Sequence, residues 1–416
     1  MKDQRIAVIG AGIVGVQIAR ALQLRGLAVT LLDRAEPGMG TSFGNAGFIA
    51  TDEIFPLAHG RVLRSLPRML LNPLGPLTMR WHEFPRLLAW YLRYVRACST
   101  AEVRTSISAL VELQGRAASA WRAVVAREHL GDLMRDSGAI KLFETEAGYR
   151  ATEQERQVQR HHGIACEDLS REALSARLPE LGPSVKRGVF YPGGMSVINP
   201  LKVTQALLQR FSSDGGTFRQ LDVQGLPRAS DGRCRVAHDD GVLDFDRVVL
   251  CTGHLSGRLL KPLGLKVPIV AERGYHVEVA HTELSFDCPV GLHERGFYMT
   301  PMTTGLRLAG TTEFSSADHD EPPNWSRAEI LHRHVQDILP GVTQGETGRW
   351  MGHRPTLADF RPALGPVEGF DNLVAAFGHH HLGLTLSAVT ADIVAPLIES
   401  GQSPIDLAPF LLSRFK

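Results

Sequence analysis

The chain has 416 residues, 44% of them hydrophobic, and its 45 basic and 44 acidic residues leave a formal net charge of +1. That length supports two or three domains with a large core, and the balanced charge provides no basic field for nucleic acid. The five cysteines, Cys98, Cys166, Cys234, Cys251 and Cys288, are scattered with no C-x-x-C pair, which argues against a zinc site or a disulfide framework and suits a reducing cytoplasm.

Residues 6–9 read as a fully buried strand, followed by a glycine-rich turn, a helix over 13–25 and a strand over 28–32. Gly26 sits where a helix stops, because glycine accepts the left-handed conformation there. This β-α-β unit implies a parallel sheet with a right-handed crossover. The N-terminus enters the first strand directly and glycines break the apolar stretch, so no signal peptide is expected. No uninterrupted apolar run approaches the ~20 residues that span a bilayer. Residues 56–160 are rich in arginine, leucine and alanine and read as helical. Strand signals return at 188–191, a helix spans 200–211, and 248–251 is another buried strand, closed by Gly253. Alternation within 267–310, as in Tyr275-His276-Val277-Glu278-Val279, predicts antiparallel sheet. The chain ends in a predicted strand at 373–376, a Gly/His turn, and a helix over 385–398 that Pro396 should kink or shorten.

Gly10-Ala11-Gly12-Ile13-Val14-Gly15 fits G-x-G-x-x-G. Three glycines alone are a weak signal, but here they follow a strand, open a helix, and precede Asp33 at the end of the next strand. Gly10 makes the tight turn, Gly12 admits a pyrophosphate to the backbone, and Gly15 lets helix and strand pack closely. The helix N-terminus offers unpaired N–H groups to phosphate, and Asp33 can bond ribose hydroxyls. A second polar, glycine-rich loop, Thr41-Ser42-Phe43-Gly44-Asn45-Ala46-Gly47, can reach from the pyrophosphate toward a flavin ring.

Further motifs are Tyr191-Pro192-Gly193-Gly194-Met195, Leu250-Cys251-Thr252-Gly253, Gly352-His353-Arg354-Pro355-Thr356, and Gly378-His379 through Gly383-Leu384-Thr385. With these, most of the chain resembles the D-amino acid dehydrogenase group of FAD-dependent oxidoreductases. That group lies within the superfamily of D-amino acid, glycine and sarcosine oxidases. The resemblance implies an α/β fold: a Rossmann-like FAD-binding domain, and a substrate domain built on a mixed or antiparallel sheet plus helices. It assigns 1–54, 188–262 and 346–416 to the first, and 55–187 and 263–345 to the second. It adds Arg34, Val223, Thr252, Gly253 and Gly352 to the flavin contacts, with His379, His381, Leu382, Gly383, Leu384 and Thr385 at the flavin edge. Some relatives attach flavin to a cysteine beside the arginine segment. Trp350-Met351-Gly352-His353-Arg354 has none, so noncovalent FAD is expected.

Amine oxidation on a flavin needs the substrate carboxylate fixed and its α-carbon held beneath the ring. Arg354, in the arginine position of the family segment, is the candidate carboxylate clamp, since a guanidinium bonds a carboxylate bidentately. Arg273 is either a second such arginine or an ion-pair partner. Tyr298, and more weakly Tyr275, either touch substrate or pack in the core. The run His379-His380-His381 cannot converge on one ion from regular structure, so no metal is expected.

Residues 61–96 hold seven arginines, no lysine, and Glu83 as the lone acid. Phe84, Leu87, Leu88, Tyr91, Leu92 and Val95 recur there at helical spacing, so the helix either lies in a membrane interface or covers the substrate domain. The expected activity is FAD-dependent dehydrogenation of D-amino acids, with cyclic D-imino acids such as cis-4-hydroxy-D-proline as a narrower lean. A quinone or other electron acceptor and a cytoplasmic location complete the expectation, with peripheral contact at the inner membrane face where the helix of 61–96 takes the membrane reading. A glycine or sarcosine oxidase using oxygen and a flavin-binding electron-transfer subunit are the alternatives.

Overall fold

The computed structural model describes residues 4–227, 233–280, 284–316, 321–343 and 345–416. The chain opens with β1 (Arg5–Ile9), α1 (Ile13–Gln23) and β2 (Ala28–Asp33). It continues through α2 (Gly60–Leu71), β3 (Leu77–Met79), α3 (Phe84–Ala97) and the long α4 (Thr100–Glu128). β4 (Ala139–Phe143), β5 (Glu167–Leu169) and β6 (Arg187–Tyr191) follow. Next come α5 (Pro200–Ser213), β7 (Thr217–Gln220) and β8 (Arg247–Leu250). A run of strands follows: β9 (Ile269–Val279), β10 (Val290–Leu292), β11 (Phe297–Met302) and β12 (Gly305–Ser315). The chain closes with α6 (Ser326–Ile338), β13 (Glu346–Leu357), β14 (Ala363–Val367), β15 (Phe370–Phe377) and α7 (Gly383–Ser400).

Two sheets organise these elements. The six-stranded sheet has the order β7-β2-β1-β8-β15-β14, parallel except for β14 at its edge. Its central strands are near-continuous apolar runs because both faces are covered. α1, α4 and α7 share one apolar core on this sheet. α5 starts at Pro200 behind an Asn199 cap, whose side chain accepts a hydrogen bond from Lys202 N at 3.0 Å.

The nine-stranded sheet runs β13-β9-β12-β11-β10-β4-β6-β5, with β3 beside β12. α6 packs Leu331, Val335 and Ile338 against one face, over Tyr275, Phe297 and Leu292. The opposite face carries His276, Ala309, Tyr298, Gly291 and Lys141, which lie in one register row.

β6 and β13, assigned to the nucleotide segments, are strands of the large sheet, and α4, assigned to the substrate segments, packs on α7. Their partners lie far away in sequence, so local pattern could not assign them. α7 runs through Pro396 to Ser400 and stops at Gly401, whose φ is +75°. Burial of Ile393, Val394, Leu397 and Ile398 outweighs the one backbone hydrogen bond that proline removes. Among the described residues α7, with the turn before it, is the one helix long and apolar enough to cross a membrane, and most of it is buried here.

The apolar stripe of α3 also divides. Leu87, Trp90, Tyr94 and Ala97 are buried, with Trp90 Nε1 donating to Thr356 O at 3.2 Å and Tyr94 Oη to Leu57 O at 3.1 Å. Phe84, Leu88, Leu92 and Val95 face outward, with Leu92 64% exposed and the preceding Trp81 68%.

Candidate active site

A single cavity of 1430 Å³ runs from the C-terminal ends of β1, β2 and β8 to the open face of the large sheet. Ligands of open α/β sheets bind at such strand ends, and this volume exceeds the ~300–1,000 Å³ of ordinary small-molecule sites.

At the nucleotide end Gly10 has φ +106°, which favours glycine, and a Cβ there would collide with Cys251 O. A Cβ at Gly15 would strike Gly10 O, so Gly15 acts through helix–strand packing and does not line the cavity. Gly47 is likewise outside the lining, with φ +75° and no room for a Cβ beside Met302. Asp33 Oδ2 accepts a hydrogen bond from Ala11 N at 2.6 Å, so it braces the turn. Ser42 Oγ accepts from Ile13 N at 2.9 Å, at the N-terminus of α1. Gly12, Ile13, Val14, Arg34, Thr41, Asn45, Ala46, Val223, Thr252 and Gly253 also line this end.

The middle is closed by Gly352 and by His379, His381, Leu382, Gly383, Leu384 and Thr385. Thr385 Oγ1 accepts from Ala50 N at 3.0 Å, which ties the flavin-edge segment to the stretch after the second glycine loop. His379 points into α7, with Nε2 3.0 Å from Thr390 Oγ1, and burial pulls its pKa down to about 3. His380 has φ +40° and its Nδ1 lies 3.0 Å from His381 Nδ1, so the three imidazoles do not share one centre. Burial also holds His381 below its ordinary value.

At the far end the Arg354 guanidinium lies flat over Gly274, where any Cβ would collide with it. Nη1 donates to Glu272 Oε1 at 2.7 Å and to Thr311 O and Thr312 Oγ1, each at 3.3 Å. Among the described residues neither Nε nor Nη2 has a hydrogen-bond partner, and Arg354 lines the cavity. Thr311 has φ +54°, a strained backbone that turns its carbonyl to the arginine. Burial pushes the Glu272 carboxyl up, but Arg354 and Thr356 bring it net below the usual range.

Tyr298 also lines the cavity, its ring 4.5 Å from that of Phe48 and its hydroxyl donating to Glu53 Oε1 at 3.4 Å. Arg273 does not. It alternates to the opposite face of β9, fully buried, donating to Pro322 O at 3.0 Å and Glu321 O at 2.7 Å. Tyr275 borders the cavity, but its ring sits in the core beneath the sheet. Its hydroxyl donates to Glu313 at 3.4 Å and accepts from Asn324 N at 3.1 Å.

Sequence reasoning missed Asp52, Glu53, Lys141 and Glu272, all of which line the cavity. Lys141 Nζ lies 3.1 Å from Asp52 Oδ2 and 3.2 Å from Glu53 Oε1. The one available signal was the acidic pair Asp52-Glu53 soon after the second glycine loop.

An elongated cavity beginning at a glycine turn and a helix N-terminus fits a dinucleotide, and its far end leaves room for a small acid at Arg354. The family described as FAD dependent oxidoreductase matches residues 5–397. The chain is 30% identical to a D-amino-acid oxidase of Bradyrhizobium diazoefficiens over 100% of this chain and 99% of that protein. It is 27% identical to a D-amino acid dehydrogenase of Allorhizobium ampelinum, over 99% and 98% of the two chains. In fold it is similar to glycine oxidase from Geobacillus kaustophilus, with TM-score 0.79, 21% identity and 99% of each chain covered. L-proline dehydrogenase from P. horikoshii gives a TM-score of 0.77 at 18% identity, covering 99% and 97%. The chain therefore belongs to the FAD-dependent oxidoreductases.

Proposed function

We propose that the chain dehydrogenates D-amino acids and passes their electrons to a membrane quinone. The observation that carries this reading is the open Nε/Nη2 edge of Arg354 in a cavity that also fits FAD. Relatives that align along the full chain bear the names D-amino-acid oxidase and D-amino acid dehydrogenase.

FAD, when bound, supplies the acceptor for the hydride that leaves the substrate α-carbon. Arg354 takes the α-carboxylate through two parallel hydrogen bonds, while Glu272 and Thr312 hold the guanidinium so that its free edge keeps one direction. Gly274 leaves the space in which that guanidinium lies. Tyr298 and Phe48 wall the chamber and exclude water from it. Positioning of this kind is worth several orders of magnitude in rate. Cyclic D-imino acids such as cis-4-hydroxy-D-proline fall within the same chemistry. No cysteine adjoins Arg354, in keeping with noncovalently held FAD.

The outward face of α3 is the support for quinone and for a peripheral place on the inner membrane face. Trp81, Phe84, Leu88, Leu92 and Val95 are exposed together, beside Arg86, Arg93 and Arg96. The same α2–α3 region borders the cavity through Val62, Ser65 and Met69. Turnover with a quinone analogue against peroxide release in air tests the acceptor. Faster dye-linked turnover supports the dehydrogenase, whereas stoichiometric peroxide at equal rate makes the protein an oxidase.

A further inference from the structure

We propose that the sheet floor between Arg354 and Glu53 holds an extended D-amino acid whose side chain ends in a cation, lysine-like in length. This rests on the amino acid reading above and adds the chemistry of the substrate's far end.

The floor is a trough. The Arg354 guanidinium folds over Gly274 on β9, and the Tyr298 ring folds over Gly291 on β10. Between them the cavity floor is Ala309 and Gly310 of β12, with no side chain beyond a methyl group. β9 and β10 are separated by β12 and β11, so the trough crosses three strand spacings, about 14 Å. That exceeds what an alanine-sized substrate fills and is of the order spanned by an extended chain hydrogen-bonded at both ends.

Among the described residues each end turns one unpaired charged edge to the cavity: Nε and Nη2 of Arg354, whose Nη1 is paired with Glu272, and Oε2 of Glu53, whose partner Lys141 also binds Asp52 at 3.1 Å. Arg354 marks the positive end. At the other, Glu53 Oε1 is held by Lys141 at 3.2 Å and Tyr298 at 3.4 Å, while Oε2 has no hydrogen-bond partner among the described residues. Burial raises the Glu53 carboxyl, but Lys141 and then His381 bring it net below its ordinary value, so the group is ionised at neutral pH. Glu155 and Glu294 add carboxylates to the adjoining wall, against Arg61. A terminal ammonium gives Oε2 the partner it lacks. An apolar terminus leaves that oxygen desolvated, and an acidic one meets like charge.

The test compares anaerobic bleaching of the holoenzyme's flavin by D-lysine, D-norleucine and D-glutamate. D-norleucine matches the lysine chain without its ammonium. D-lysine should bleach at ~10- to 100-fold lower concentration than D-norleucine, the range of one charge-assisted hydrogen bond, and D-glutamate should be poorer still. In Glu53→Gln, verified to retain FAD by its visible spectrum, the lysine-to-norleucine ratio should fall toward one. D-norleucine equal to or better than D-lysine in the wild type overturns the subsite and leaves the amino acid reading standing. So does an unchanged ratio in Glu53→Gln. No bleaching by any D-amino acid overturns both.

Discussion

Arg354 and Gly274 meet across neighbouring antiparallel strands, with the guanidinium occupying the space where a side chain on residue 274 would begin. The proposed carboxylate clamp therefore needs two residues: one supplies the charge and the other its place. Gly274→Ala should push the guanidinium off its axis and raise the concentration of D-amino acid needed for half-maximal turnover by ~10-fold or more. FAD content should stay at one per chain, because residue 274 is remote from the glycine turn. Steady-state kinetics with flavin quantitation checks this.

Gly15 packs so closely on Gly10 that a methyl group has no room. Gly15→Ala should cost about 1–3 kcal/mol of stability through overpacking and weaken FAD retention. Thermal unfolding and the flavin-to-protein ratio after dialysis provide the measurement. An unchanged melting temperature with full flavin would contradict the packing role.

Burial holds His379 and His254 near pKa 3, against about 6.5 for an exposed imidazole. Both groups are neutral in the folded chain and become charged in the unfolded one as pH falls. Their stability contribution is complete above pH 6.5 and is lost as pH drops toward 3. Each therefore costs about 1.4 kcal/mol per pH unit below 6.5. Unfolding free energies at pH 7 and 5 should differ by roughly 2 kcal/mol per histidine, and His379→Asn should shrink that difference.

Cys251 is the cysteine lining the cavity, and burial pushes its thiol far up, which leaves it protonated and unreactive. FAD should accordingly be released intact by acid precipitation. Yellow chromophore remaining on the protein pellet would show a covalent link.

The outward residues of α3 predict binding to vesicles of anionic lipid at low salt, weakening as salt rises. Leu88 is 44% exposed and Leu92 64%, so Leu88→Glu with Leu92→Glu should abolish vesicle binding and leave folding stability within ~0.5 kcal/mol. Wild-type protein that stays in the supernatant would contradict the membrane seat.

The nucleotide end was legible because its signals are local: a strand, three glycines, a helix and Asp33 within one short unit. Arg354 was legible through its motif. Arg273 stayed open between two readings because β9 is buried on both faces, so its pattern does not say which face borders the cavity; Arg273 lies on the face away from it, 3.5 Å from Glu313. Glu53 and Lys141 were not legible: with Tyr298, which was named, they lie on three distant segments that only the tertiary fold brings together, and no spacing rule reaches across such a grouping. The division of α3 was hidden for a related reason. Leu87 and Leu88 are both apolar, and the position of the sheet edge decides which is covered.

The most direct test of the proposed oxidation is anaerobic bleaching of the purified protein's visible flavin spectrum. The panel would hold D- and L-amino acids, glycine, sarcosine and cis-4-hydroxy-D-proline, for the wild type and Arg354→Met. The proposal predicts bleaching of the wild type by D-substrates and at least a ~100-fold weaker response in the variant, the loss expected for a bidentate carboxylate clamp. Bound FAD that no amine bleaches, or a variant that responds like the wild type, would contradict it.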